Sequence, residues 1–197
     1  MLVHPRHSEL LALLRKSRSA LKGRWHSPVY RCVALKWARP EFLVTGEGSL
    51  QIGSRWMRAG ITPAVYAAST EAIALKESRR AFRHFGIRQP LSSPRVIVEI
   101  TTDLGNVADL TNIDTLLPWP SLDELLAKDW EQVNSRGFET LSQAFGRALW
   151  KLGFAGLIAP SSRDRRGRNL IWFPSNLAKS DKIHIAGESE LGDWIAK

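Results

Sequence analysis

Six short stretches rich in β-branched and aromatic residues, at 29–35, 64–69, 95–102, 156–159, 169–173 and 182–185, most constrain what this chain can fold into. Several neighbours among them are too close for a helical crossover, which takes about a dozen residues, so these must pair antiparallel. Helical patterns fall between the others, at 7–22, 70–85, 121–131 and 138–152. The combination predicts an α+β domain with mixed, mostly antiparallel sheets flanked by helices, rather than a doubly wound parallel sheet. Pro40 and the glycines at 46 and 48 mark a long irregular stretch suited to a loop near a site, and a turn is expected at 103–106. A chain of 197 residues fits one domain with a sizeable core. Residues 1–24 read as an N-terminal helical extension whose Leu10, Leu11 and Leu14 stripe packs on the main domain at 25–197.

The helical pattern at 70–85 carries an anomaly. At about 100° per residue, Thr70, Ile73, Ala74, Glu77, Ala81 and Phe85 share one stripe, with Lys76, Arg79, Arg80 and Arg83 on another face. Glu77 is thus a charge on the apolar side. Such a carboxylate costs several kcal/mol unless it joins a structural ion pair or sits in a pocket that uses its charge. Arg55 and Tyr66 precede Glu77 at equal spacing, and Arg55 is one candidate partner for that ion pair.

Composition narrows the classes. With 44% apolar and 24% charged residues the chain is that of a folded globular protein, and it has no low-complexity tract or repeat. Cys32 is the single cysteine, which excludes an intramolecular disulfide; nothing suggests a cysteine zinc site, and no run approaches the length of a membrane span. The expected location is the cytoplasm, with no membrane partner. A net charge of +9 favours something anionic, whether nucleic acid, an acidic protein or a phosphate-bearing small molecule. No zinc finger or other nucleic-acid module is recognisable, which weakens direct nucleic-acid binding, and neither a Gly-x-Gly-x-x-Gly turn nor a Walker loop is present.

Five pieces in order carry a family resemblance: Gly53-Ser-Arg-Trp-Met57, Val65-Tyr-Ala-Ala-Ser69, Ala74-Leu-Lys-Glu77, Gly156-Leu-Ile-Ala-Pro-Ser-Ser162 and Asn169-Leu-Ile-Trp-Phe-Pro174. Together with Tyr30-Arg31 and Ala108-Asp-Leu-Thr111, they make residues 29–180 resemble the RES domain, a family named for its arginine, glutamate and serine. The resemblance implies a fold related to ADP-ribosyltransferases, with 25–197 as the NAD-binding catalytic domain. It implies an enzyme that splits the nicotinamide–ribose bond, commonly as the toxin of a bacterial toxin–antitoxin pair. ADP-ribose would pass to inorganic phosphate, making the protein an NAD phosphorylase, or to water. NAD and phosphate then enter as substrates, with no cofactor and no metal. The expected partner is an antitoxin with a helix-turn-helix DNA-binding domain.

The same resemblance implies Arg55, Glu77 and Ser161 as catalytic residues, and Arg31, Tyr66, Tyr30, Ser162 and Asn169 as substrate-binding ones. The residue chemistry is consistent with this. Nicotinamide leaves as a neutral base, so the barrier lies in forming an oxocarbenium-like ribose, which a fixed carboxylate such as Glu77 stabilises. Arg55 and Arg31 offer rigid forks of donors to a pyrophosphate. Tyr66 suits stacking on nicotinamide or donating its hydroxyl, and Ser161 suits hydrogen bonding to ribose or carboxamide, with no histidine placed to make it a nucleophile. Against these stand plainer readings: solvated arginines, a core tyrosine, and serines that cap a helix or turn. Where the family commonly has Gly-Gly-Arg-Trp-Asn, this chain has Met57 at the last position. The basic run Ser162-Arg-Asp-Arg-Arg-Gly-Arg168 reads either as a solvated turn or as a phosphate or acidic-partner contact. Two other functions remain open: ADP-ribosylation of a protein target, or a catalytically silent basic module for nucleic acid or an acidic protein.

Overall fold

A computed structural model describes residues 2–78, 94–161 and 167–195. The chain opens with helices α1 (His7–Lys16) and α2 (Arg18–Leu21), then runs through strand β1 (Lys22–Ala34) to α3 (Pro40–Thr45) and α4 (Glu47–Ile52). Strand β2 (Val65–Ala68) leads directly into α5 (Glu71–Ser78), and β3 (Arg95–Asp109) follows. Four helices come next: α6 (Ile113–Leu116), α7 (Leu122–Ala127), α8 (Trp130–Ser135) and α9 (Leu141–Lys151). Strands β4 (Gly156–Pro160), β5 (Arg168–Trp172) and β6 (Lys182–Ile185) and helix α10 (Glu188–Ile195) complete the chain.

The sheet is mixed, in the order β1-β2-β5-β4-β3-β6, and β1 also pairs with β3, so five strands close on themselves. Only β3 and β4 run parallel; the other pairings are antiparallel. The β1–β3 ladder is long, from Lys22 opposite Ala108 to Ala34 opposite Arg95. The β1–β2 closure is a single register pair, Tyr30 opposite Ala68. Beyond that pair the two strands are not joined, and the ring opens as a cleft.

Alternation along β4 and β5 explains why helices cover one face of the sheet. Leu157, Ala159 and Ile171 point into a core with Leu10, Leu14 and Leu21 of the N-terminal helices and Phe145, Ala148 and Leu149 of α9. Ile158, Leu170 and Trp172 point the other way, into a core with Val29, Val65, Val98, Ile100 and Val107. Helix α9 begins at a capping box, with the Thr140 hydroxyl accepting from the Gln143 N–H at 3.2 Å and the Gln143 side chain returning to the Thr140 N–H at 3.1 Å. Beneath it Arg147 donates twice to Glu139, at 2.8 and 2.7 Å, and the His4 N–H donates to the same carboxylate at 2.9 Å, which fastens the N-terminal segment to α9.

Three local expectations are corrected. The stretch after Pro40 folds into α3 and α4 instead of staying irregular, with Gly46 in the left-handed region as the joint between them (φ 73°). No turn forms at 103–106; β3 continues to Asp109 because β1 begins seven residues earlier than expected, at Lys22, and pairs with that half of β3 across a bulge between Gly23 and Trp25. A terminal helix, α10, follows β6 where none was expected. Of the helix expected over 70–85, the part up to Ser78 is present, and the remainder lies outside the described residues. No described helix is long and apolar enough to cross a membrane.

Candidate active site

The cleft at the β1–β2 opening is where the chemistry gathers. Helix α5 starts at Thr70, whose hydroxyl accepts from the Ile73 N–H at 3.3 Å, and it buries Ile73 and Ala74 against Ala68, Tyr30 and Cys32. One turn on from Ile73 and Ala74, that same face carries Glu77 to the ends of β4 and β5. Its Oε1 accepts from the Ser161 hydroxyl at 2.7 Å and from the Asn169 side-chain amide at 3.1 Å. Ser161 closes β4 with only 2% of its surface exposed, and Asn169 opposes Ala68 across the β2–β5 ladder. Three strand and helix termini thus converge on one half-buried carboxylate. None of its hydrogen-bond partners among the described residues is a cation, so the charge is held by neutral donors and keeps its attraction for a developing positive charge. The Asn169 Oδ1 is buried without a partner, an acceptor left over beside that carboxylate.

Two adjoining cavities open from this point. The smaller, about 230 Å³, is lined by Tyr30, Tyr66, Ala74, Glu77 and Asn169. The larger, about 660 Å³, runs between the β1 end and the α3–α4 segment, past Trp37, Phe42, Gln51 and Arg95. Arg31, Cys32, Val33 and Tyr66 border both. At this junction the Arg31 guanidinium donates to the carbonyls of Phe42 and Leu43, the former at 3.3 Å, and burial pushes its pKa down to about 10. It still carries its proton at neutral pH. Among the described residues its hydrogen bonds go to peptide carbonyls and not to a carboxylate, so peptide dipoles solvate this half-buried cation.

Tyr66 lines both cavities, and its hydroxyl is hydrogen-bonded with the hydroxyl of Ser54, itself on the wall of the larger cavity, and accepts from the Trp56 N–H at 3.2 Å. Burial raises its pKa strongly, against opposing effects of Ser54, Trp56 and the nearby Arg55 charge, so it stays a neutral phenol. Tyr30 lines the smaller cavity, and the Glu99 carboxylate that faces it across the β1–β3 ladder holds its hydroxyl proton and raises its pKa.

Arg55 sits elsewhere than beside Glu77. Its guanidinium donates to the carbonyls of Leu126 and Lys128, both at 3.2 Å, and it lines neither cavity. The structure therefore brings Glu77, Ser161, Asn169, Arg31, Tyr66 and Tyr30 together, and sets Arg55 behind Tyr66 where it braces the loop that holds that ring. The Arg55–Glu77 ion pair allowed by the sequence is replaced by Ser161 and Asn169. Ser162 and most of the basic run after it lie outside the described residues; Arg168 stacks over Trp25 at 5.3 Å. Met57 is fully buried in the helix-side core, and its carbonyl, not its side chain, serves the loop by accepting from Ser54. Trp37, Phe42, Gln51 and Arg95 of the larger cavity were missed by sequence reasoning. The one signal was a tryptophan and a phenylalanine close together in a stretch read as irregular.

No curated protein sequence matches this chain. Among solved structures, a chain of the M. tuberculosis MbcT–MbcA toxin–antitoxin complex is similar, with a TM-score of 0.67 and 19% identity, over 95% of this chain and 97% of that one. The model of the RES domain family matches residues 28–192, and the chain belongs to that family.

Proposed function

We propose that this protein cleaves the nicotinamide–ribose bond of NAD and transfers ADP-ribose to inorganic phosphate or to water. The observation that carries this is Glu77, a carboxylate held by the Ser161 hydroxyl and the Asn169 amide at the wall of a cavity, with no cation among its hydrogen-bond partners in the described residues. In the reaction the C1′–N bond breaks and nicotinamide departs neutral with the bonding pair. The ribose C1′ becomes electron-poor, and a phosphate oxygen or a water then bonds to it, the water giving up a proton. Glu77 stabilises the positive charge as it develops and accepts a hydrogen bond from a ribose hydroxyl. Ser161 and Asn169 fix the carboxylate, and the unpartnered Asn169 Oδ1 is free to accept from the ribose or the nicotinamide amide. Arg31 at the junction of the two cavities binds the pyrophosphate. Tyr66 and Tyr30 flank the nicotinamide. Arg55 acts by positioning the Tyr66 loop.

The reading includes a toxin role and an antitoxin partner, supported by family membership and by the similarity to the M. tuberculosis toxin–antitoxin complex. Incubation of the purified protein with NAD, with and without phosphate, and identification of the products by mass tests it. ADP-ribose phosphate marks a phosphorylase and free ADP-ribose a hydrolase. NAD intact under both conditions rules the reading out.

A further inference from the structure

The smaller cavity, beside Glu77, is below the roughly 300–1,000 Å³ of a typical ligand site, whereas the larger one lies within that range and has no role in the bond-breaking step. Its mouth carries an uncommon feature for a soluble surface. Trp37 is 51% exposed and Ile52 73% exposed, although both border a concave site. Trp37 is not loose: Phe42 meets it edge to face, with ring centroids 5.5 Å apart and planes at 79°, and the Lys36 ammonium lies 5.3 Å from its centroid. A half-exposed indole held edge to face by Phe42 on a cavity wall is a stacking platform for a flat ring. Gln51 lines the same cavity and brings one donor and one acceptor in a single plane, the complement of an adenine edge.

We infer that Trp37 stacks the adenine of the dinucleotide, with Gln51 reading its edge, so that the larger cavity is an adenosine subsite separate from the cleavage subsite at Glu77. This rests on the proposed NAD cleavage only for direction: with the scissile ribose at Glu77 and the pyrophosphate at Arg31, the remaining half of the molecule lies in the larger cavity. The register pair of Ala34 with Arg95 brings a second arginine to that wall, near the pyrophosphate's far side. Discrimination between dinucleotides then resides in α4 and the segment before α3, not in the residues that perform the chemistry.

The test is calorimetric titration of the full chain with AMP and, separately, with nicotinamide mononucleotide, in the wild type and in Trp37→Ala and Trp37→Phe. A stacked base predicts that Trp37→Ala weakens AMP binding about tenfold or more, that Trp37→Phe restores most of it, and that nicotinamide mononucleotide binding is unchanged. Equal weakening of both nucleotides would mean a general structural role, and unchanged or absent AMP binding would remove the subsite; each overturns the inference. The two proposals separate cleanly, because Trp37-dependent AMP binding by a protein that leaves NAD intact keeps the adenosine subsite and refutes the cleavage.

Discussion

Replacing Gly146 by alanine tests whether core packing sets the position of the site. Gly146 lies within α9, and a Cβ there would fall 1.9 Å from the Trp56 carbonyl oxygen and 2.9 Å from the Trp56 carbonyl carbon. Ordinary contact needs roughly 1.5 Å more than the closer of these distances, and the obstacle is backbone, which cannot rotate aside. The loop at 53–57 must move outward, and with it Ser54 and the Trp56 N–H, which hold the Tyr66 hydroxyl. Overpacking of this kind costs about 1–3 kcal/mol or more, against a helix-propensity gain of about 1 kcal/mol for alanine over glycine. With the larger of these costs, about 3 kcal/mol, the net loss is about 2 kcal/mol, which lowers the Tm of a chain this long by roughly 4–8 °C. Because a displacement of about 1 Å at a site can cost on the order of a hundredfold in rate, NAD turnover falls at least tenfold at temperatures where the variant is folded. Thermal melting followed by circular dichroism, together with steady-state turnover, measures both. A Tm at or above the wild type, with turnover unchanged, would show that the loop is not held by this contact and would refute the reasoning.

Glu139→Gln leaves the buried Arg147 without its counter-charge and is expected to cost about 3–5 kcal/mol, whereas Glu139→Met combined with Arg147→Met costs less than the single change; urea titration compares them. Acid weakens the same region. Burial, then the Arg147 charge, holds His7 below its ordinary value of 6.5, and burial holds His4 below it despite Glu139, so the unfolded chain binds protons that the folded one refuses. Stability is complete above about pH 6.5 and is lost as pH falls from there toward the lowered folded values; His7→Gln should lose less Tm between about pH 7.5 and 5 than the wild type. Glu139 adds a second loss at lower pH: burial would raise its pKa, but the Arg147 and His4 hydrogen bonds outweigh that, and their contribution disappears as pH drops below 4.5 through the depressed value. Tyr66→Phe removes the hydroxyl shared by Ser54 and Trp56 and is expected to cost about 1 kcal/mol while raising the KM for NAD, as measured by melting and kinetics.

Helix periodicity made the anomaly at Glu77 legible, because a three- or four-residue spacing places it beyond Ile73 and Ala74 whatever the tertiary fold does. The strand at 64–69 was likewise readable from local composition, and it appears as Val65–Ala68. What local pattern cannot supply is who meets Glu77. Ser161 and Asn169 reach it only through the β2–β5 and β4–β5 registers, and Arg31 reaches the cleft only because β1 and β2 part after one pair. The helices α3 and α4 were hidden by Pro40, Gly46 and Gly48, which punctuate two short helices as readily as a loop. Trp37 and Arg95 belong to one cavity because Ala34 lies opposite Arg95, a contact across the long β1–β3 ladder that no spacing rule announces. Met57 looked like a change at the site, yet burial makes it part of the core.

The most direct measurement is NAD turnover by the wild type and by Glu77→Gln, with melting curves recorded on both. The amide keeps the shape and the capacity to accept from Ser161 while removing the charge. An unchanged melt and a loss of about a hundredfold or more in kcat are expected, since the carboxylate acts on the charge of the transition state. Turnover by Glu77→Gln within a few-fold of the wild type contradicts that role.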